Sequence, residues 1–314
     1  MPQRRFATLD VFTDTALAGN PLAVVLDADG LDDAAMQAIA REFNLSETVF
    51  VAPPAESRHR AALRIFTPAR ELPFAGHPTI GTAILLALHD RAAAERAERG
   101  LADAVAFGLE ERIGIVACAV EIGADGRSGH ARFKLPVMPT YLGAAPEAGA
   151  LAEALGLKPQ EIGFHRHQPS RHGVGPAFTF VPLASRDALD RARLDDAGLS
   201  RLFPPETFEA ADALYLYALD PEGLGRQYQA RMFAPRLGMP EDPATGGAAA
   251  AFAGVLMQFE PLGNGEHDVL IRQGVAMGRP SAISLQLVVA EGALRSVEIG
   301  GAAVRVSEGV LHVD

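Results

Sequence analysis

Arg64-Ile65-Phe66-Thr67-Pro68 runs within a few residues into Glu71-Leu72-Pro73-Phe74-Ala75-Gly76-His77. The same phrase returns as Arg231-Met232-Phe233-Ala234-Pro235, followed by Glu241-Asp242-Pro243-Ala244-Thr245-Gly246-Gly247. The opening parts lie 167 residues apart and the closing parts 170, so the later copy carries three extra residues between them. Upstream, Gly19-Asn20-Pro21-Leu22-Ala23-Val24-Val25 has a looser partner in Gly175-Pro176-Ala177-Phe178-Thr179-Phe180-Val181. Two copies half a chain apart describe a duplicated domain; a solenoid would need more and shorter repeats.

Each copy ends in a glycine that precedes a helix-forming run. Pro78 suits a first helical turn, and the alanines from Ala248 onward are strong helix formers. Two helix N-termini flanked by glycine therefore expose backbone N–H groups, and a carboxylate is the ligand that suits them.

Away from the repeat, β-branched or alternating stretches predict strands at 23–26, 48–51, 62–66, 178–181, 213–217 and 282–289. Helical patterns cover 32–42, 78–89 with a continuation through 92–95, 148–155 and 248–258. Strands outnumber helices, which predicts an α+β protein. The expected halves are 1–126 and 127–301, with a strand-like last segment, about 302–314, that can return to the first half.

The chain has 314 residues, of which 48% are hydrophobic, enough to bury a core without disulfides or metals. Its 28 Lys and Arg stand against 39 Asp and Glu, a net charge of −11, which argues against nucleic acid or an anionic membrane as partner. Cys118 is the single cysteine and sits in an apolar strand-like run, 115–120, so it predicts core packing and a reducing, cytoplasmic setting. Met1-Pro2-Gln3-Arg4-Arg5-Phe6 does not lead into an apolar stretch, so no signal peptide is expected, and no apolar run is long enough for a membrane helix. No nucleotide-binding glycine fingerprint occurs, so no cofactor is expected. His165, His167 and His172 cluster with Arg166 and Arg171, whose charge disfavours a metal ion. Asp32-Asp33 and Asp195-Asp196 read as helix-start or solvated charges.

Asp10-Val11-Phe12-Thr13, Gly19-Asn20-Pro21-Leu22-Ala23-Val24-Val25, Asn44-Leu45-Ser46-Glu47-Thr48-Val49-Phe50, the first repeat phrase through Pro78-Thr79, and Glu241-Asp242-Pro243-Ala244-Thr245-Gly246 occur in that order. Together they resemble the phenazine-biosynthesis PhzF-like isomerase family. The resemblance implies a diaminopimelate-epimerase-like fold: two similar halves, each a β-barrel-like sheet around a central helix, with the active site between them. In the racemases and epimerases of that fold each helix start carries a catalytic cysteine. The matching positions here are Ala75 and Thr245, so thiol acid/base chemistry is excluded.

The resemblance instead assigns general acid/base catalysis to Glu47, in Ser46-Glu47-Thr48, with His77 and Asp242 assisting. A carboxyl in a partly desolvated cleft can act in both protonation states, as moving a proton between carbons requires. A helix start beside His77 favours a neutral imidazole. Asn20, Gly76, Thr245, Gly246 and Gly247 are the expected substrate-binding residues; Gly247 stands where many family members have Ser. The expected function is a cofactor-independent isomerase acting on a small carboxylate-bearing molecule, with no metal. A thiol-independent amino-acid racemase or epimerase is one alternative, and a non-catalytic small-acid-binding or scaffold protein is another. The resemblance is compatible with a homodimer, for which the sequence itself shows no interface.

Overall fold

A computed structural model describes residues 3–90, 104–203, 213–237 and 239–313. The chain divides into two compact units, one comprising the described residues up to Pro136 together with those from Ile299 onward, the other Val137–Glu298.

The first unit is built from β1 (Gln3–Val11), β2 (Asn20–Val25), β3 (Glu47–Ala52), β4 (Ala61–Phe66), β5 (Glu71–Leu72), β6 (Val105–Glu111), β7 (Gly114–Ile122), β8 (Ser128–Lys134) and the later part of β17 (Ala293–His312). Pairing runs β17–β1–β2–β3–β4–β6–β7–β8 and returns from β8 to β17, so the sheet closes into a barrel. Closure leaves no unpaired edge. Helix α1 (Asp33–Phe43) connects β2 to β3, which pair in parallel, and helix α2 (Gly76–Leu88) lies after β5. Every residue of α2 from Gly76 to Ala87 is buried, as befits a helix that is apolar all round and packs against β1, β2, β3, β7 and β8.

The second unit repeats this plan. Its strands are β9 (Thr140–Ala144), β10 (Ser170–Gly173), β11 (Ala177–Pro182), β12 (Leu214–Leu219), β13 (Arg226–Ala234), β14 (Met239–Asp242), β15 (Gly265–Gln273), β16 (Ser281–Ala290) and the start of β17. They pair in the order β9–β10–β11–β12–β13–β15–β16–β17. The two parallel steps fall at matching places: β2 with β3 and β4 with β6 in the first unit, β11 with β12 and β13 with β15 in the second. Helices α3 (Ala148–Leu155), α4 (Arg186–Arg191) and α5 (Asp196–Leu202) cover this sheet, and the buried helix α6 (Gly246–Phe259) matches α2.

The repeated phrase has a physical basis. In the first copy Arg64 makes a two-pronged ion pair with Glu71, Nε to Oε1 and Nη2 to Oε2, both at 2.8 Å. In the second, Arg231 does the same with Glu241 at 2.8 and 2.9 Å. Each guanidinium also lies over the phenylalanine two residues on, 5.2 Å from the Phe66 ring and 4.8 Å from the Phe233 ring. The phrase is thus a staple that holds a short strand against a long one just before the buried helix begins. The three extra residues of the second copy fall in the loop that holds the 3-10 turn Pro235–Leu237.

Several details differ from the sequence expectations. The first unit ends at Pro136 rather than 126, because β8 pairs with β7 and packs on α2. Both buried helices start two residues earlier than expected, at Gly76 and Gly246, which brings His77 and Gly247 inside the first turn. The proposed helical stretch 92–95 lies outside the described residues. Asp32 and Asp195 do cap helices, accepting from the backbone N–H of Ala35 at 2.8 Å and of Gly198 at 2.6 Å. Cys118 is buried, and its thiol is pushed up by that burial and by Glu111.

Candidate active site

Three expected residues meet in the first unit. Gly19 has φ +64° and a Cβ there would lie 2.4 Å from the Val11 carbonyl oxygen, so only glycine fits the turn that starts β2 at Asn20. Helix α1 ends on Asn44 in the left-handed region, φ 51°, which reverses the chain into β3 and starts that strand at Glu47. Parallel pairing then sets Glu47 opposite Leu22. His77 enters from the first turn of α2, whose N-cap, Ala75, offers no side-chain cap to the first N–H groups.

Asn20 is fully buried, His77 is 3% exposed and Glu47 is 9% exposed. His77 Nδ1 lies 3.3 Å from Glu47 Oε2 and 3.5 Å from Asn20 Nδ2. Burial pushes the imidazole down to about 3, against a smaller upward pull from the Pro21 carbonyl. His77 is therefore neutral at physiological pH, and its contact with Glu47 is between an imidazole and a carboxyl rather than an ion pair. Its Nε2 is buried without a hydrogen-bond partner among the described residues.

The second unit assembles Asp242, Thr245, Gly246 and Gly247. Asp242 ends β14 and is buried, and its Oδ2 accepts a 2.6 Å hydrogen bond from the Thr245 hydroxyl. Thr245 is the N-cap of α6, and its side chain makes no capping bond. Gly246 and Gly247 form the opening of that helix. A Cβ on Gly247 would sit 3.6 Å from the Phe178 ring, an ordinary contact, so the position has room for a side chain.

Gln273, the last residue of β15, belongs to this group although the charged Arg272 before it reads as surface. It is fully buried; its Nε2 donates to the Asp242 carbonyl at 2.8 Å and the Thr245 hydroxyl at 3.0 Å, and its Oε1 accepts from the Thr245 N–H at 3.2 Å. Gly274, φ +74°, follows it, and a Cβ there would come within 2.6 Å of the Pro243 carbonyl oxygen. The one readable signal was the glycine.

The clustered histidines serve elsewhere. His167 Nδ1 lies 2.9 Å from the Tyr217 hydroxyl and His172 Nε2 lies 3.0 Å from Gln258 Oε1, while His165 is exposed. Among the described residues, no group of three or more His, Cys, Asp or Glu side chains is placed to hold a metal ion. No helix among the described residues is long and apolar enough to cross a membrane.

Residues 9–309 match the family model described as phenazine biosynthesis-like protein, PhzC-PhzF. An uncharacterized isomerase of Mesorhizobium japonicum is 47% identical over 313 residues, covering 100% of both chains. The trans-2,3-dihydro-3-hydroxyanthranilate isomerase of Pseudomonas fluorescens is 37% identical over 313 residues, covering 98% of each. The crystal structure of a Bacillus anthracis phenazine biosynthesis protein of the PhzF family shares the fold with a TM-score of 0.81, at 23% identity and 100% coverage of both chains.

Proposed function

The chain belongs to the phenazine biosynthesis-like family and is an isomerase, and from that premise we propose that it moves a proton between carbons of a small carboxylate-bearing substrate, with Glu47 as general acid/base and no added cofactor. The observation that carries this reading is the buried contact of Glu47 with a neutral imidazole, 3.3 Å from Glu47 Oε2 to His77 Nδ1.

The Glu47 carboxylate takes a proton from one carbon, the electron pair left behind shifts through the adjacent double bond, and the same carboxyl returns the proton at another carbon. Nothing is oxidised or reduced, so no co-reactant is needed. A carboxyl in this role needs a partner in each protonation state, and neutral imidazole supplies one, since Nδ1 can present either an N–H or a lone pair to it. His77 Nε2 is left for a substrate group. Asn20 orients the imidazole, and Asp242, held by Thr245, orients a substrate amine or hydroxyl. The backbone N–H groups at Gly76 and at Gly246-Gly247 suit a substrate carboxylate.

Solvent deuterium incorporation tests this reading. A panel of small amino and hydroxy carboxylates, beginning with the dihydro-hydroxyanthranilate named for the Pseudomonas fluorescens relative, is incubated in D₂O and read by mass spectrometry. Wild type should label its substrate, and Glu47→Gln should lose about a hundredfold or more in rate with its circular dichroism unchanged. An unchanged rate in that variant refutes the role of Glu47, and chiral analysis of the products separates isomerisation from epimerisation.

A further inference from the structure

Glu111 is the last residue of β6, is 8% exposed, and takes no part in the chemistry above. The internal duplication says what it corresponds to. Ala61 and Tyr228 each lie five residues before the phenylalanine of the repeated phrase, Phe66 and Phe233. Ala61 pairs in parallel with Leu109, and Tyr228 pairs in parallel with Ile271. Two residues beyond each partner come Glu111 and Gln273, each the final residue of its strand. Gln273 is the side chain that clamps the N-cap of α6.

The first-unit contacts have the same purpose. The Thr79 hydroxyl oxygen lies 2.7 Å from Glu111 Oε1 and 2.8 Å from the carbonyl oxygen of Ala75, the N-cap of α2. A hydroxyl has one hydrogen, and it cannot be donated to both. If Glu111 keeps its proton, the chain is complete: Glu111 O–H donates to Thr79, and Thr79 O–H donates to Ala75. The second carboxyl oxygen, Oε2, is buried with no hydrogen-bond partner among the described residues, which suits the carbonyl oxygen of an acid and not half of a carboxylate. The turn after β6 adds two more ties to the same loop: Arg112 Nη1 to Glu71 Oε2 at 2.8 Å, and the Ile113 N–H to the Pro73 carbonyl at 3.1 Å.

We propose that Glu111, as a neutral carboxylic acid, is the first unit's counterpart of Gln273: a positioning residue that holds the Ala75–His77 turn through Thr79 without touching substrate. The surroundings agree. Burial pushes its carboxyl up to about 8. From α2 the facing polar group is Thr79, and from β7 the Cys118 thiol, itself raised by Glu111; neither carries charge at pH 7. Arg112 beside it is engaged by Glu71.

The proposal rests on His77 acting in catalysis, and its test has one arm that does not. In protein labelled with carboxyl-¹³C glutamate, the Glu111 resonance, identified by its loss in Glu111→Gln, should report a neutral acid at pH 7 and titrate near pH 8; an ionised carboxylate at pH 7 overturns the proposal whether or not Glu47 proves catalytic. In the second arm, wild-type turnover should fall about tenfold per pH unit above about 8. Glu111→Gln, which supplies the amide of Gln273, should keep turnover at pH 7 and lose that alkaline fall, while Glu111→Ala drops by up to about a hundredfold. A Gln variant as impaired as the Ala variant, or one that keeps the alkaline fall, also overturns it.

Discussion

Two buried groups of the first unit should shape its stability in opposite directions. His77 has an ordinary value of 6.5 and falls to about 3 in the fold, while Glu111 has an ordinary value of 4.5 and rises to about 8. A depressed value means that the folded state resists protonation, so the stability tied to His77 is complete above pH 6.5 and is lost as pH falls toward about 3. A raised value means the reverse: the stability tied to Glu111 is complete below pH 4.5 and is lost as pH rises toward about 8. Each slope is roughly 1.4 kcal/mol per pH unit. Between pH 4.5 and 6.5 the slopes offset one another, giving a flat top. From 4.5 down to about 3, and from 6.5 up to about 8, the uncompensated group alone removes about 2 kcal/mol. His77→Asn should remove the acid limb and Glu111→Gln the alkaline one. All four tyrosines, at 141, 215, 217 and 228, lie in the second unit, so tyrosine fluorescence is the wrong probe. Hydrogen exchange of the amides of α2, read across a pH series with exchange rates corrected for pH, reports on the unit concerned. Differences between wild type and each variant that stay constant with pH would refute the reasoning.

The same staple should be worth different amounts in the two units. Arg231 has a side chain 7% exposed and also donates to the Leu189 and Ala192 carbonyls at 2.9 and 2.8 Å, so Arg231→Met takes this donor from both carbonyls and from the partly buried Glu241 carboxylate and should cost about 3 kcal/mol in urea unfolding. Arg64 is 27% exposed and Glu71 keeps Arg112, so Arg64→Met should cost only about 1 kcal/mol. Gly247→Ser should change the melting temperature little, since its Cβ finds ordinary contact with Phe178, and any change should appear in KM or kcat. A Ser variant that unfolds would show that the room is illusory.

Much of the architecture was legible because the repeat is written in residues that do mechanical work. Arg64 and Glu71, and Arg231 and Glu241, keep their spacing relative to a buried helix, and the glycines mark where each helix begins. Asn20, Glu47 and His77 were each picked out by the family resemblance, and each lies at the start of an element: β2, β3 and α2. What stayed hidden depends on strand register. Glu111 sits in Glu110-Glu111-Arg112, which reads as surface charge, and Gln273 follows a charged Arg272; only the parallel pairings of β4 with β6 and β13 with β15 make them equivalent. Helix α4 was missed because six residues, four of them Arg or Asp, give too short a stretch for an apolar period, and of the seven-residue α5 only the start at Asp195-Asp196 was marked.

The seam of the first barrel joins the far ends of the chain: Gln3 pairs with His312 and Val11 with Ala303. Closing so wide a loop costs little at equilibrium, because the entropy penalty grows only logarithmically with length, but it delays the event. On the ribosome the first unit is synthesised first, yet β1 and β8 must wait for β17, which emerges last. The second unit draws all its strands from one uninterrupted stretch and can be complete while the first still shows two open strand edges. Order of completion thus reverses order of synthesis, and the interval in which those edges stand open is when a nascent chain of this protein is most exposed to pairing with a neighbour.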